Sequence, residues 1–425
     1  MTRSILAFEV RSGRRITQIP VADASWSMVH RGPGEISVDI PLDAEDFRRL
    51  EREFVGGLYP GDPDLYPSPE TYPTPAIPLW RAGDGLRPEF LASIEPVRCG
   101  LAILEDDTVL EAGVIWAWEY PYGDTLRVKA QGIWSLLDRR HVIDGDAPSA
   151  WAQWAVTWSG LSLGTIAKRH LQLTMGQAGG DLPIVLPADV AGTHERTYRG
   201  HELATVRSRI EDLMGVIDGP DLAFEPRLTE DRLGIEWVMR VGTPLLQQSG
   251  DDHVWDSRVP QSPISGLSVS RDAGKVATRS WVTGAGQDEA LLMARRGPSS
   301  IGIADLRAVG FPLTEIAEAR STVEQQDTLD RWADGNLRSG SRPWQAWTAT
   351  VIARPTAHVG GRDMPAGPQL GEYRPGDWAR VWVSSSHPLL GLLLPEGYHR
   401  ARIMEVSGGM GDQVRVVLAP SMESR

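Results

Sequence analysis

Two stretches near the C-terminus, 373-YRPGDWARVWV-383 and 400-RARIMEVSGGMGDQVRVVL-418, decide the fold class of this chain. The first contains Pro-Gly-Asp, whose residues fix φ or tolerate tight backbone and so indicate a turn. Residues 378–383 then alternate with a period of two, which predicts a strand. The second stretch alternates in the same way on both sides of the Gly-rich residues 408–412 and predicts a hairpin. We expect these strands to close a β-barrel, in which no His, Ser or Cys stands where a nucleophile or a metal would be held.

Composition limits the classes of protein that this chain can belong to. Its 425 residues are enough for two to four domains, and 41% hydrophobic with 23% charged residues is typical of a folded soluble protein. A net charge of −13 argues against a surface that grips nucleic-acid phosphates. The single cysteine, Cys99, excludes an internal disulfide and a multi-cysteine zinc site, and we expect it to be buried as a small hydrophobic residue.

The N-terminus carries no recognisable targeting segment. Residues 1–9 have too short an apolar run, and a charge too early, for a signal peptide. No window approaches the roughly 18 apolar residues of a membrane-spanning helix. We therefore expect synthesis and folding in the cytosol, or export as part of a larger particle.

The pattern of the chain is β-rich at both ends with helices between. Strands are predicted at 16–19, 25–29, 35–40, 101–104, 109–118, 125–131, 222–228, 234–241, 267–269, 279–283 and 344–353. Helices are predicted at 43–50, 161–173, 201–216 and near 316–337. The fold class predicted from this order is mainly β with an α+β insert, which is bounded by Pro260 and Pro263.

Two aromatic features suggest contact surfaces. Val114, Trp116 and Trp118 fall on one face of a predicted strand, as a barrel core or an interface stripe. Residues 59–78 hold seven prolines interleaved with tyrosines, so this segment is predicted to be an extended loop rather than a strand or helix. It either covers its own barrel or reaches a partner. The candidate partner-contact residues are Tyr59, Tyr66, Tyr72 and Trp80.

Several motifs that could carry chemistry are incomplete. The glycines around Ala285 follow a strand but lack the rest of a dinucleotide or P-loop pattern. Nine histidines are scattered without metal-ligand spacing. Acidic pairs at 106–107, 230–231 and 251–252 resemble the carboxylates of a glycosidase but stand in predicted turns. Sixteen tryptophans are compatible with sugar stacking, although most alternate on strands, where packing explains them better. The sequence therefore predicts no catalytic residue, no cofactor and no metal site.

The order of these elements resembles the minor tail proteins of siphophages of the tail-hub type. The segments that carry the resemblance are 32-GPGEISVDIP-41, 113-GVI-115, 126-LRVKAQG-132, 199-RGHEL-203, 282-VTGAG-286 and 374-RPGD-377. The last two are also similar to hubs of contractile tails and of type VI spikes. The likeness covers nearly the whole chain and rests on order and spacing. The long Pro/Tyr loop and the abundance of tryptophan depart from the family pattern.

The resemblance implies a homotrimer in the virion, with two β-barrel domains per subunit forming a pseudo-sixfold ring. The first barrel domain would span 1–140, a middle α+β domain 141–262 and the second barrel domain 263–425. Such a ring adapts a sixfold tail tube to a threefold tip. A distal tail or tail tube protein would lie on one side, and a tip or fibre protein and the tape-measure protein on the other. DNA would pass through the channel without specific binding, and the protein would have no enzymatic activity.

Two functions from other classes remain open at this point. A cell-wall or polysaccharide hydrolase of the tail tip would explain the tryptophans and the acidic pairs. A carbohydrate-binding receptor protein would place tryptophan clusters on an exposed face. Turnover of purified host wall distinguishes the first from a hub, and glycan binding by the isolated chain distinguishes the second.

Overall fold

A computed structural model describes residues 3–42, 81–82, 85–86, 88–121, 125–145, 150–216, 219–259, 261–320, 323–359, 361–384 and 394–420. The N-terminal region supplies strands β1 (Arg3–Glu9), β2 (Arg15–Ile19), β3 (Asp23–Val29), β4 (Glu35–Pro41), β5 (Arg81–Ala82), β6 (Gly85–Leu86), β7 (Cys99–Glu105), β8 (Thr108–Glu119) and β9 (Thr125–Gly132), with helices α1 (Pro88–Ser93) and α2 (Trp134–Leu137). The middle region supplies β10 (Ala155–Leu161), α3 (Leu163–Met175), β11 (Ile184–Val185), β12 (Ala191–Arg199), α4 (Val206–Gly215), β13 (Asp221–Leu228), β14 (Ile235–Gly242) and β15 (His253–Trp255). The C-terminal region supplies β16 (Ile264–Asp272), β17 (Arg279–Thr283), β18 (Met293–Arg296), β19 (Glu315–Ala319), α5 (Gln326–Ser339), β20 (Trp344–Ile352), β21 (Thr356–Val359), β22 (Arg362–Pro365), β23 (Trp378–Val383), β24 (Gly397–Gly408) and β25 (Gln413–Pro420).

One sheet of 13 strands dominates the molecule. Its order is β16-β20-β25-β24-β3-β4-β9-β8-β7-β1-β2, and β23 and β15 branch from β24. Strand β24 joins the N-terminal and C-terminal lobes because it is long enough to have two neighbours on one side. Trp378 of β23 pairs with Arg402, and Val29 of β3 pairs with Glu405.

This strand order corrects the prediction of two closed barrels. In the described residues the sheet is open, with β2 and β16 as the ends of its main path and β15 as the end of the branch. Closure into separate barrels would require β24 to pair within its own lobe, but its C-terminal half pairs with β3 of the other lobe. Most of the strands, the hairpin that ends at β25 and the turn before β23 are as predicted.

The two faces of the N-terminal lobe are buried in different cores. Along β1, Ile5 and Ala7 enter a core shared with the C-terminal lobe, which includes Trp255 and Trp347. The alternate side chains, such as Phe8, enter a second core shared with the middle region. Full burial of a large apolar side chain stabilises a fold by roughly 1.5–3 kcal/mol. The three regions are therefore held together by apolar burial on both sides of one sheet.

The two middle helices begin at side-chain caps. The Ser162 hydroxyl accepts from the Thr165 N–H at 3.2 Å before α3, and the Thr205 hydroxyl accepts from the Ser208 N–H at 3.1 Å before α4. The helices predicted at 161–173 and 201–216 are confirmed. The second starts later than predicted because residues 200–202 form a separate 3₁₀ turn.

Three local predictions need correction or remain outside the described residues. The helix predicted near 316–337 is split, since Glu315–Ala319 is a strand parallel to β17 and only Gln326–Ser339 is helical. A bulge after Ile115 breaks the alternation of β8, so Val114 is buried whereas Trp118 is 43% exposed. The predicted helix at 43–50 and the loop at 59–78 lie outside the described residues. Within the described part of the chain, no helix has the length and apolar character needed to cross a membrane.

Candidate functional site

A fully buried carboxylate, that of Asp221 at the start of β13, joins the three regions of the chain. It accepts hydrogen bonds from the Leu246 backbone N–H at 3.0 Å, from Arg31 Nε at 2.9 Å and from the Arg402 guanidinium. His30 Nε2 lies 3.0 Å from its Oδ1 atom. Arg31 follows β3, Arg402 lies on β24, and Asp221 and Leu246 belong to the middle region. We name this arrangement the Asp221 junction.

The electrostatics of the Asp221 junction favour a fixed ion pair. Burial alone would raise the pKa of Asp221, but the hydrogen bonds and positive charges around it hold that pKa well below its ordinary range. Burial, opposed by Asp221, lowers the pKa of His30, so the imidazole is neutral at neutral pH. Arg402 also donates from Nε to the Gly376 carbonyl at 3.0 Å. A carboxylate with this number of donors is a structural cross-link rather than a general base, because its lone pairs are already occupied.

A second buried acid, Glu111 of β8, lies in the same neighbourhood. Its Oε1 accepts from the Ala112 N–H at 3.0 Å. Burial raises its pKa to about 8, against the opposing effects of that N–H and of Arg374. A β-carbon on Gly34 would stand 2.0 Å from Glu111 Oε2 and 2.2 Å from the Ser27 carbonyl oxygen, so this position requires glycine. Glu111 is thus largely a neutral carboxylic acid, packed against backbone.

The cleft at this junction is too small to hold a substrate. It is lined by residues from all three regions, including Met28, Glu111, Trp134, Phe224 and Arg374, and its volume is about 50 Å³. Ligand pockets have volumes of roughly 300–1,000 Å³. The cleft has space for a few water molecules, and its geometry supports joining of the regions rather than catalysis.

A further polar cross-link joins the two lobes directly. The Glu105 carboxylate at the end of β7 accepts from Arg3 Nε at 2.8 Å and from Arg354 Nε at 2.8 Å. Arg3 also donates to the carbonyls of Gly409 and Gly411 in the C-terminal hairpin. The side chains of Arg3 and Glu105 are almost fully buried, where charge-assisted hydrogen bonds are strong.

The middle region contains a buried histidine within an aromatic cluster. The His170 ring of α3 lies 4.8 Å from the Trp158 ring and 4.3 Å from the Tyr198 ring, and Arg209 lies 5.4 Å from the Tyr198 ring. Among the described residues neither His170 ring nitrogen has a hydrogen-bond partner. Burial, with a smaller effect of Arg209, lowers the pKa of His170 to about 3. The ring therefore packs as a neutral aromatic group.

The tryptophans of β23 lie on an outer face of the sheet where arginines cover them. Arg258 Cζ is 3.5 Å from the Trp382 ring centroid and Arg400 Cζ is 4.2 Å from that of Trp378. The Tyr398 ring meets Trp382 edge-on at 5.0 Å. An indole face under a guanidinium is not free to stack on a sugar. This face has the Trp, Tyr and Arg composition of protein interfaces instead.

Each of the acidic pairs considered as glycosidase carboxylates has at least one member bound to an arginine or to local hydroxyl and backbone donors. Asp106 binds Arg354, and Asp107 lies 3.1 Å from Arg232. Asp231 accepts from the Thr229 hydroxyl and the Leu233 N–H, which lower its pKa. Asp252 is shared by Arg380 and Arg400. No group of His, Cys, Asp and Glu suited to a metal ion occurs among the described residues.

The remaining sequence predictions divide into two groups. Cys99 is buried and unbridged as predicted, its Sγ lies 3.3 Å from the Ala92 carbonyl oxygen, and burial raises the pKa of its thiol. The partner-contact candidates Tyr59, Tyr66, Tyr72 and Trp80 lie outside the described residues. Sequence reasoning missed the Asp221 junction, because its residues are far apart in the chain and share no motif.

Comparisons with known proteins relate this chain to tail proteins by fold alone. No protein-family model matches it, and no curated protein has a significantly similar sequence. The 43 kDa tail protein of prophage MuSo2 from Shewanella oneidensis is similar with a TM-score of 0.49 and 8% identity, over 98% of each chain. A tail protein from Neisseria meningitidis has a TM-score of 0.49 and 12% identity, over 99% of this chain and 97% of that one.

The structural neighbours extend to secretion and baseplate proteins. An E. coli protein described as a component of the type VI secretion system has a TM-score of 0.42 and 11% identity, over 95% of this chain and 74% of that one. Phage P2 baseplate structures are also among the neighbours. Each of these likenesses is one of fold, at 7–12% sequence identity.

Proposed function

We propose that this chain is a structural hub protein of a bacteriophage tail tip or baseplate, and that three copies form a ring in the virion. The ring adapts a sixfold tail tube to a threefold tip and surrounds the channel through which DNA is ejected. Tail and baseplate proteins among the structural neighbours agree with a structural role of this kind. The observation that carries the proposal is the open sheet of this chain itself.

The two ends of the sheet differ in exposure, since most residues of β16 are exposed whereas β2 is partly buried. In the described residues β16 pairs only with β20. Strand β2 pairs with β1, and at its start the Arg15 N–H donates to the Leu233 carbonyl of the middle region at 2.9 Å. Exposed strand edges offer unpaired N–H and C=O groups to another chain. Two unlike edges on one subunit favour head-to-tail contact, which closes into a ring when the rotation between subunits is suitable. Seven strands from the N-terminal lobe and five from the C-terminal lobe, together with β15 of the middle region, would supply the two quasi-equivalent segments per subunit.

The interior of the molecule suits a rigid ring component. The Asp221 junction and the Glu105 pairs fix the lobes and the middle region relative to each other. The division into 1–140, 141–262 and 263–425 is retained as part of this proposal. Each chain carries a formal charge of −13, so three chains around a channel would repel DNA phosphates and let DNA slide.

The partners expected of such a ring lie above and below it. We propose a distal tail or tail tube protein on one side, and a tip or fibre protein and the tape-measure protein on the other. The segment 59–78, with Tyr59, Tyr66, Tyr72 and Trp80 in or near it, remains a proposed contact with one of them. Replacing 60–78 by a short Gly/Ser linker should leave thermal unfolding of the monomer unchanged and reduce incorporation into tails. Unfolding of the monomer would instead make this segment a cover of its own lobe.

The hypothesis that subunits associate through the edge strands β2 and β16, here called the edge hypothesis, is tested by introducing charged residues into β16. Ser268 and Ser270 are exposed polar residues of that strand, so Ser268→Lys with Ser270→Lys should leave the monomer folded while blocking strand addition. Gln413→Lys on the interior strand β25 is the matched control, because Gln413 is exposed but its strand has neighbours on both sides. Sedimentation velocity should show trimers for the wild type and the control and monomers for the double variant. Wild-type monomers at all concentrations, or trimers of the double variant, would contradict the proposal.

A further inference from the structure

A segment of thirteen residues, Ile301 to Leu313, is apolar yet has no core to enter. We name residues 301–313 the apolar arm. It carries six large apolar side chains, of which none is buried: Ile301, Ile303, Leu306, Val309, Phe311 and Leu313. Val309 is 74% exposed, Phe311 42% and Leu313 48%. None of the six belongs to, or packs on, the three hydrophobic clusters of the described residues.

The arm belongs to a small unit that cannot cover it. This unit, β17, β18, β19 and α5, has a core of four buried residues, namely Val282, Ala294, Leu329 and Ala333. A contiguous exposed apolar segment of this kind marks an interaction site in a soluble protein. The backbone of the arm nevertheless has a defined conformation. Gly302 and Gly310 adopt positive φ, and the Phe311 N–H donates to the Leu306 carbonyl at 3.2 Å.

The position of the unit indicates what the arm contacts. It is inserted between β16 and β20, and it leaves and re-enters the large sheet at the paired residues Asp272 and Trp344. Trp344 is itself 51% exposed. The arm is therefore carried at one end of the edge strand β16, which is where a neighbouring copy adds its strand in the proposed ring.

The charges of the arm also favour a second copy. Its two charged residues, Asp305 and Arg307, bind each other at 2.6 Å and leave the arm neutral. A basic partner protein would be recognised through acidic groups that the arm does not offer. Two copies of a chain of charge −13 repel each other, and a neutral apolar contact is the kind that adds attraction without a charge penalty.

We propose that the apolar arm packs on the neighbouring copy of this chain. This contact would stabilise the ring in addition to the strand-to-strand contact. This inference rests on the proposed function and adds a second, independent contact to it. Val309, Phe311 and Leu313 provide the apolar anchor. The Asp305–Arg307 pair and the two glycines hold the arm in shape before association.

The test uses the full-length chain with Val309→Ser, Phe311→Ser and Leu313→Ser combined. These side chains are exposed in the monomer, so its thermal midpoint should not fall. Loss of three partly buried apolar contacts at each interface should weaken association by on the order of 100-fold. Leu233→Ser, on the middle region, is the control because Leu233 is 43% exposed and lies outside the arm. It should associate as the wild type does.

The outcomes separate this inference from the proposed function. A trimeric wild type whose arm variant associates with unchanged affinity would overturn the inference while leaving the edge hypothesis intact. A photo-crosslinking residue, p-benzoylphenylalanine, placed at Phe311 should yield products with the mass of two chains. Crosslinks only within one chain, or binding of the arm to phosphatidylglycerol vesicles in place of the second chain, would overturn it as well. Failure of the proposed function would instead appear as a monomeric wild type.

Discussion

The buried His170 should make the middle region sensitive to mild acid. Its ring is fully buried between Trp158 and Tyr198, without a hydrogen-bond partner among the described residues. Substitution by Leu removes the titrating group and keeps an apolar side chain of similar size. The difference in unfolding free energy between wild type and His170→Leu should therefore change with pH.

The sign and size of this change come from the pKa of His170. It is about 3 in the folded chain against 6.5 for an ordinary histidine, so the unfolded state binds the proton more readily. The destabilisation is absent above pH 6.5, grows as the pH falls through that value, and is complete only below the folded pKa. From these two pKa values, the free energy of unfolding should fall by about 2 kcal/mol on going from pH 7.5 to pH 5.

The assay is urea unfolding at pH 7.5, 6 and 5, followed by tryptophan fluorescence. The free energy of unfolding of the wild type should fall by about 2 kcal/mol more than that of His170→Leu over this pH range. His194→Gln, at an exposed position on β12, is the control and should follow the wild type. Equal pH dependence of the wild type and His170→Leu would refute the argument, because it would mean that the ring is solvated or hydrogen-bonded.

Three further predictions concern buried groups. Asp221→Asn should destabilise the fold by about 3–5 kcal/mol in urea unfolding, because it leaves the buried Arg402 without its charge partner, whereas Asp181→Asn removes an exposed pair and should be nearly neutral. Gly34→Ala should cost about 1–3 kcal/mol through its clash with Glu111, and Gly32→Ala, which meets only ordinary contacts, should be nearly neutral in thermal unfolding; equal effects would contradict the clash. The Cys99 thiol should react slowly with a maleimide in the native protein and rapidly after denaturation, and fast native labelling would show that it is exposed.

Local patterns in the sequence were sufficient to predict most strands and two helices. Alternation identified β23 and β24, and the spacing of Val206, Ile210 and Leu213 identified α4, since each pattern reports burial of one face. Strand β1 is buried on both faces and shows no alternation, so its apolar residues do not reveal its structure.

Long-range pairing could not be predicted in the same way. Nothing local to β24 reveals that Glu405 pairs with Val29, nearly 400 residues earlier in the chain, so the sheet was predicted as two closed barrels. The Asp221 junction was not predicted from the sequence for the same reason, because Arg31 and Arg402 become neighbours only after the lobes have joined.

Counting the copies of this chain in an assembled tail tests the central claim most directly. Cryo-electron microscopy of the particle should show three copies around the channel, with β2 of each copy next to β16 of its neighbour and the DNA path through the centre. Six copies, one copy, or three copies whose β2 and β16 edges remain unpaired would contradict the account.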